Sequence, residues 1–263
     1  GGDPAVSGVL PMALEDASRL AGVLMRSGKE YVCLMRLHRD VEEKELRNAL
    51  DFFTGEIYQV PPIKSSVARQ PRIRTVYRVR LLEKQGKDAL FIIACSGGTY
   101  VRKYCHDLGV YIGCGAHMQE LRRTRSGPFV EDESVTLMDL YSAMKSWKEE
   151  GSEDEIRRVV KPAEKALELT GKIYVLDSAV DAICHGASVA VNGISMLSTD
   201  ISPGELVAVL SLKNEAVALG KALMKTEDVL RSDRGLAAKT DRVLMRRGTY
   251  PALWKQGRPS SIT

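Results

Sequence analysis

Three clusters in this 263-residue chain have the composition to act on an anion. The first is Lys64 to Arg80, KSSVARQPRIRTVYRVR, which holds Lys64, Arg69, Arg72, Arg74, Arg78 and Arg80 and no acid. If all these cations met RNA phosphates, log affinity would fall with log salt at about −0.7 per contact, a slope of roughly −4. The same stretch also reads as one polar face of an exposed strand, since Arg74, Arg78 and Arg80 alternate with apolar neighbours. The second cluster is Gly97-Gly98-Thr99-Tyr100-Val101-Arg102. Glycines leading into a helix start leave free N–H groups and a positive dipole end, which suit an anion, although a tight strand-to-helix turn accounts for them equally well. Arg102 in the first turn opposes the dipole, so its placement calls for a facing carboxylate or phosphate. The third is Gly113 to Arg125, GCGAHMQELRRTR, a basic run that fits a phosphate grip or a solvated helix end. His117 has no ligand partners at suitable spacing on both sides and reads as a structural hydrogen-bonder. Alone, Asp3-Pro4 starts a turn and Tyr31 packs a strand.

The elements that must position these groups follow from pattern and composition. Hydrophobic residues make up 44% of the chain and charged residues 27%, with 38 basic and 34 acidic side chains, which fits one large globular domain or a large one plus a small one. Such a length needs no disulfide or metal staple. The longest apolar run, Ala89 to Cys95, falls far short of the ~18 residues of a membrane span. Cys33, Cys95, Cys105, Cys114 and Cys184 form no C-x-x-C pair and read as packing residues in a reducing compartment. The opening residues show no signal-peptide pattern, so none is expected, and the abrupt start at Gly1-Gly2-Asp3 leaves room for an upstream segment. Membrane and secreted classes are excluded on this reading.

Apolar spacing predicts a helix over Leu14–Arg26, a strand over Tyr31–Leu37 and a helix over Glu42–Phe53. It also predicts strands over Val76–Glu83 and Ala89–Cys95, then a helix with Val101, Tyr104, Cys105, Leu108 and Ile112 inward. Thr136 is expected to cap a helix that turns Leu137, Leu140, Tyr141, Met144 and Trp147 inward, followed by a solvated acidic run at Glu149–Glu155. After Gly171 the texture changes. Short β-rich runs at Lys172–Leu176, Ser188–Val191, Glu205–Leu212 and Ala216–Ala222 sit between Asn192-Gly193, Ser202-Pro203-Gly204 and Lys213-Asn214, which predicts a small β-barrel. Residue patterns alone therefore end at an α/β protein with an RNA-directed basic face and a small β module. They name no reaction.

The motifs, taken in order, resemble those of a known family. Asp3-Pro4-Ala5-Val6-Ser7-Gly8-Val9-Leu10-Pro11 resembles the active-site loop of the TruB/dyskerin family of pseudouridine synthases. Lys29-Glu30-Tyr31, Gly98-Thr99-Tyr100-Val101-Arg102, and Gly113-Cys114-Gly115-Ala116-His117 with Leu121 to Gly127 are similar to its other motifs, and Lys172 to Trp254 resembles the PUA module. The likeness covers nearly the whole chain. It implies an α/β (α+β) catalytic domain with a mixed or antiparallel sheet over 1–170, its N-terminal part missing, a PUA β-barrel over 171–254 and a tail over 255–263. Arg122-Arg123-Thr124-Arg125-Ser126-Gly127-Pro128-Phe129 and the long PUA segment are similar to the dyskerin type, the catalytic subunit of H/ACA guide-RNA particles. No Lys-rich nucleolar tail is present, so the expectation is an archaeal cytoplasmic protein, nucleolar only if eukaryotic.

The resemblance also implies roles. Asp3 is the nucleophile, attacking either the base or the ribose C1′; Arg102 pairs with it; Tyr31 stacks on the flipped base and handles the C5 proton; Leu121 walls out water. Lys64, Arg69, Arg72, Arg74, Arg122, Arg123 and Arg125 contact RNA phosphates, and the PUA module around His185, Gly186, Ala187 and Gly193 grips the 3′ ACA end of the guide. Neither cofactor nor metal is implied. The implied partners are a box H/ACA guide RNA, a substrate RNA (rRNA, then tRNA), a small zinc-ribbon core protein, a glycine/arginine-rich-type core protein and a kink-turn-binding ribosomal-type protein. One departure stands out: the family loop reads Gly-Gly-Thr-Leu-Asp-Pro, whereas here Gly2 is followed directly by Asp3. Two alternatives therefore stay open, a guide-independent synthase acting on the T-loop uridine of tRNA and a non-catalytic RNA-binding scaffold.

Overall fold

The computed structural model describes residues 6–60 and 70–252. They divide into two compact units, residues 6–12 with 22–159 and residues 13–21 with 160–252. No helix among the described residues is long and apolar enough to cross a membrane.

The first unit is built on a seven-stranded sheet. In chain order its elements are β1 (Val6–Gly8), α1 (Ala21–Arg26), β2 (Lys29–Leu37), α2 (Glu43–Phe52), β3 (Gly55–Gln59), β4 (Arg72–Gln85), β5 (Asp88–Cys95), α3 (Val101–Ile112), β6 (Ala116–Ser126), β7 (Phe129–Val130), α4 (Leu137–Glu150) and α5 (Asp154–Val159). The spatial order is β1-β6-β2-β5-β4-β3, with β7 on β6. Every pair is antiparallel except β1 with β6, which makes the sheet mixed. Central β2 pairs with β5 on one side and β6 on the other. Its alternate residues Cys33, Met35 and Leu37 are wholly buried, as the two-residue side-chain period of a strand requires.

Two helices cover that face. Leu46, Ala49 and Leu50 of α2, and Val101, Tyr104, Cys105 and Leu108 of α3, recur at helical spacing and enter the same core as the β2 residues. Burying a leucine such as Leu46 or Leu108 completely contributes about 1.5–3 kcal/mol. Gly113, at φ 75°, ends α3 in the left-handed conformation that stops a helix at least cost.

The second unit is a six-stranded sheet formed by β8 (Gly171–Val175), β9 (Val189–Ala190), β10 (Ile194–Leu197), β11 (Leu206–Ser211), β12 (Ala216–Ala222) and β13 (Leu236–Val243), with helices α6 (Asp177–Cys184) and α7 (Thr226–Arg231). Its order is β10-β8-β11-β12-β13-β9. The two ends, β9 and β10, are joined by the three-residue turn Val191–Gly193, so the sheet must curl until its edges approach. Ile173, Val175, Val207, Val209 and Val217 fill the interior together with Val180 and Ile183 of α6.

Several expectations need correction. The predicted Leu14–Arg26 helix is a 3-10 turn, Glu15–Leu20, followed by α1, and Glu15 enters at a positive φ of 47° that a regular helix cannot accommodate. Residues 116–126 form strand β6, not a helix end: Ala116, Met118 and Leu121 are buried while His117, Gln119 and Arg122 are exposed. β4 begins at Arg72, four residues before the predicted start, and absorbs half the basic stretch. Thr136 does cap α4, through a reciprocal box with Asp139. The residues expected to point inward do not. Leu137, Tyr141 and Trp147 are 74%, 66% and 45% exposed, Met144 is also exposed, Leu140 is half-buried, and Ala143 alone in α4 is buried. Periodicity establishes an apolar face but not what lies against it. In the second unit β10, β13, α6 and α7 lie outside the predicted runs.

Tyr104 leaves one energetic loose end. Its ring is wholly buried, its hydroxyl has no hydrogen-bond partner among the described residues, and burial drives its ionisation far above the ordinary tyrosine range. An unpartnered buried hydroxyl costs about 1–3 kcal/mol. Tyr104→Phe should therefore raise the unfolding free energy measured in urea by about 1 kcal/mol; a fall would show that the hydroxyl is engaged.

Candidate active site

Strand β6 brings the candidate groups together. Tyr31 on β2 stands opposite Arg123, and Cys33 stands opposite Leu121. Directly opposed residues of an antiparallel pair share a face, so Tyr31, Leu121 and Arg123 project to the same side. On its other edge β6 receives β1 in parallel, with Val6 against Leu121 and Gly8 against Arg123. The segment that follows Asp3-Pro4 thus runs beside the residues of β6 that face Tyr31. Asp3 itself lies outside the described residues.

Gly8 makes this approach possible. Its φ is 97°, and a Cβ at this position would sit 2.1 Å from the Arg123 carbonyl oxygen. Only glycine fits both the backbone conformation and the gap. The next residue completes the seam: the Val9 amide donates to the Arg123 carbonyl at 2.9 Å, and Arg123 Nε donates to the Val9 carbonyl at 2.7 Å.

Arg102 is the second residue of α3 and is exposed. Its helix is coupled to the Tyr31 strand within the core, where Cys33 Sγ and Cys105 Sγ lie 3.6 Å apart. Cys33 follows Tyr31 by two residues on the same face, and Cys105 follows Arg102 by about one turn. The start of α3 is held by a residue that the sequence did not single out. Gln59 at the end of β3, only 2% exposed, accepts from the Tyr100 amide at 2.9 Å and donates to the Tyr100 carbonyl at 3.1 Å. One of the free N–H groups expected at this helix start is thereby satisfied. A lone glutamine before Pro61-Pro62 leaves no periodic signal that could have revealed it.

The electrostatics of the face are uneven. Burial raises the Tyr31 phenol above its ordinary pKa, and the neighbouring Arg123 guanidinium pulls it back by its charge and a hydrogen bond. Burial, then the charge of Arg123, brings the Lys29 ammonium down to about 8. Its Nζ nonetheless donates to the Leu24 carbonyl at 2.7 Å and the Ser27 carbonyl at 2.6 Å, contacts that favour the charged form. Leu121, 7% exposed, supplies an apolar wall on the same face.

The predicted RNA contacts fall into different environments. Lys64 and Arg69 lie outside the described residues. Arg72 is half-buried at the start of β4. Arg74 Nε donates to the Gly98 carbonyl at 3.1 Å, so this cation braces the turn into α3. Arg78 and Arg125 are exposed and share Glu30, at 3.0 and 3.5 Å, and Arg122 pairs with Glu131 at 2.6 Å. The basic stretch therefore has acid opposite it, contributed by another strand. Exposed pairs of this kind contribute little and can exchange a carboxylate for a phosphate. Arg123, by contrast, is half-buried.

The second unit has its own basic recess, a pocket of about 460 Å³ lined by Arg19, His185, Gly186, Met245, Arg246 and Arg247. Gly186 turns at φ 93°. His185 Nδ1 donates to the Asp181 carbonyl at 2.8 Å, and Arg246 pairs with Asp16 at 3.1 Å. His185 and Gly186 were expected here. Arg19, Arg246 and Arg247 were not, because Arg19 is separated from the other two by most of the chain. Cations around a small recess suit a phosphate or a nucleotide end. Among the described residues no group of three or more His, Cys, Asp or Glu side chains is placed to hold a metal ion.

Comparison with known proteins supplies the context. The family model of the TruB pseudouridylate synthase N-terminal domain matches residues 2–101, that of the tRNA pseudouridylate synthase B C-terminal domain matches 102–168, and that of the PUA domain matches 171–244. The probable tRNA pseudouridine synthase B of Methanocaldococcus jannaschii is 54% identical over 97% of this chain and 76% of its own length. Its counterpart from Archaeoglobus fulgidus is 49% identical over 96% and 78%. Among solved structures, a chain in a crystal structure of a Cbf5–Nop10–Gar1 complex superposes with a TM-score of 0.90 at 48% identity, covering 95% of this chain and 76% of that one. A chain from an H/ACA RNP bound to a substrate RNA containing 2′-deoxyuridine gives 0.86 at 46% identity, covering 96% and 77%.

The seam at Gly8 can be tested without an activity assay. Gly8→Ala forces a methyl group into the Arg123 backbone at a φ that L-residues avoid. It should cost about 2 kcal/mol or more of stability and remove amide-exchange protection at Val9. Unchanged protection at Val9 would contradict the seam.

Proposed function

The chain belongs to the TruB family of pseudouridylate synthases, and we propose that it acts as the catalytic subunit of a box H/ACA guide-RNA particle, with rRNA as its main substrate and tRNA as a further one. Pseudouridine synthases isomerise uridine within RNA. The N1–C1′ bond breaks, a C5–C1′ bond forms, C5 loses its proton and N1 gains one. The observation that carries the assignment of roles is the shared face on which Tyr31, Leu121 and Arg123 meet, beside the strand that follows Asp3.

In this reading the Asp3 carboxylate is the nucleophile, and it divides the exchange of bonds into two easier steps. Arg102, at the start of α3, keeps it ionised and aimed. A carboxylate there also offsets the cost of placing a cation against the helix dipole. The Tyr31 ring stacks on the flipped base, a contact worth about 1–3 kcal/mol, and its oxygen, as the phenolate, takes the C5 proton. Leu121 keeps water from the detached base. Arg122 and Arg125 exchange their carboxylate partners for RNA phosphates, joined by Arg72, Lys64 and Arg69, while Arg74, expected from the sequence as a further phosphate contact, stays on the Gly98 carbonyl. The recess at His185, Gly186 and Arg246 receives the 3′ end of the guide. These contacts position the RNA, while guide–target pairing selects the uridine.

The likeness to Cbf5 chains solved with Nop10 and Gar1 and with substrate RNA supports assembly with a guide RNA and with small core proteins of the zinc-ribbon and glycine/arginine-rich kinds. We extend the set to a kink-turn-binding protein and place the particle in the archaeal cytoplasm, in line with the archaeal relatives. The relatives' name, probable tRNA pseudouridine synthase B, favours a second reading in which tRNA is modified without a guide.

Assays on rRNA fragments and on tRNA, each with and without guide RNA and core proteins, separate the two readings. Turnover of rRNA only with the guide is expected, and turnover of tRNA by the protein alone would favour the second. Asp3→Asn should abolish isomerisation while leaving RNA affinity within about threefold. Parental turnover by that variant would remove Asp3 from the mechanism.

A further inference from the structure

We propose that Arg123 is a positioning residue for this reaction. It clamps the strand following Asp3 against the strand carrying Tyr31 and holds its guanidinium beside the Tyr31 phenol. The inference rests on the pseudouridine-synthase reading above, and it takes Arg123 out of the set of cations that grip RNA phosphates.

The clamp is built from two hydrogen bonds between the same two residues. Val9 N donates to the Arg123 carbonyl at 2.9 Å, and Arg123 Nε returns a bond to the Val9 carbonyl at 2.7 Å. Val9 is 7% exposed, so removing the guanidinium would strand a poorly solvated carbonyl. The bond runs to the residue after Gly8, the only residue type the seam admits at that point. A side chain committed in this way is poorly placed to meet a phosphate. Its neighbours Arg122 and Arg125 are exposed and pair with the half-buried carboxylates of Glu131 and Glu30, which an RNA phosphate can replace.

The second half of the proposal concerns Tyr31, directly across from Arg123. Among the described residues, two titratable groups act on the phenol. Cys95 on β5 is kept neutral by burial, with its pKa at about 11, and Arg123 on β6 supplies a positive charge and a hydrogen bond. Lys29, on the same strand as Tyr31, feels the same guanidinium. Glu30 is engaged elsewhere, by Arg78, Arg125 and Thr124. Burial keeps the resting Tyr31 phenol protonated, so it first gives its own proton to solvent; the C5 proton then passes to the phenolate oxygen, the C–H electron pair returns to the ring and N1 takes a proton from solvent, so the composition is unchanged. A fixed cation beside the phenol favours its charged, proton-accepting form.

The test uses the full chain reconstituted with guide RNA and core proteins. Arg123→Met should lower kcat at saturating substrate by about a hundredfold, leave KM within about threefold, and move the Tyr31-dependent limb of the kcat–pH profile to higher pH. Arg123→Lys, which keeps the charge but not the Nε geometry, should restore the pH limb and only part of kcat. Arg122→Met should instead raise KM. If Arg123→Met raises KM and leaves kcat and the pH profile at parental values, Arg123 is a phosphate contact and the proposal is overturned. If Arg123→Met does not fold, Arg123→Lys decides alone, and parental kcat, KM and pH profile in it overturn the proposal. Failure of the underlying reading looks different: the parent particle forms no pseudouridine, or Asp3→Asn turns over normally.

Discussion

The register of β6 between β1 and β2 is the constraint on which the site depends. One strand sets three relationships at once: Leu121 against Cys33 and Val6, Arg123 against Tyr31 and Gly8, and the Val9 seam beyond them. Because side chains alternate across a sheet, a slip of one residue would turn Leu121 to the opposite face and bring Arg122 opposite Tyr31. Such a slip is opposed by burial of Leu121 and Met118, by the double bond to Val9, and by the absence of space for any side chain at position 8. Two irregularities in the β2–β6 ladder, at Glu30/Tyr31 and Leu34/Met35, bracket the regular stretch that carries Tyr31 and Cys33. Bulges of this kind re-aim side chains at the edge of a regular segment.

Positive charge is distributed over this frame according to exposure. Cations near the surface are paired with carboxylates by contacts that cost little to exchange, Arg122 with Glu131 and Arg78 and Arg125 with Glu30. Cations further in are committed to backbone oxygens: Arg74 to Gly98, Lys29 to Leu24 and Ser27, and Arg123 to Val9. The first set can answer to a polyanion and the second cannot do so without disrupting local structure. A sequence run without an acid therefore overstates how much of its charge a nucleic acid could claim. The second unit repeats the pattern, with Arg246 paired to Asp16 at the edge of its recess.

How much of this was legible in the sequence depends on the range of the signal. Local patterns served well: the apolar stripe of α2, the inward face of α3 and the Thr136 cap all follow from spacing within one or two turns. The glycine turn before α3 is also local, and Gly98 adopts φ 83° there. The ordered motifs placed Tyr31 and Leu121 in one site, and strand pairing does bring them to one face. Strand β6 was misread because its solvent side is densely basic and its pairing irregular, which blurs the two-residue period. Gln59 and the Arg19–Arg246 recess were invisible because each joins segments far apart in sequence, through contacts that have no local pattern. For α4 the pattern was read correctly as amphipathic and then over-interpreted, since an apolar face and a buried one are separate properties.

The cysteines show how packing reaches the chemistry. Cys33 and Cys105 are each fully buried with their sulfurs at 3.6 Å, so the spacing between β2 and α3 at this level is set by two small side chains. The hydrogen bond with Cys33, then burial, keeps the Cys105 thiol protonated, well above the ordinary range, and a buried neutral thiol behaves as a small apolar group. A leucine at either position would add volume that a close-packed core resists, pushing helix and strand apart. One turn away, that displacement would reach Arg102 on the helix and Tyr31 on the strand. The reading of these cysteines as packing residues therefore needs widening rather than replacing, because the gap they set also fixes how far the helix carrying Arg102 stands from the strand carrying Tyr31.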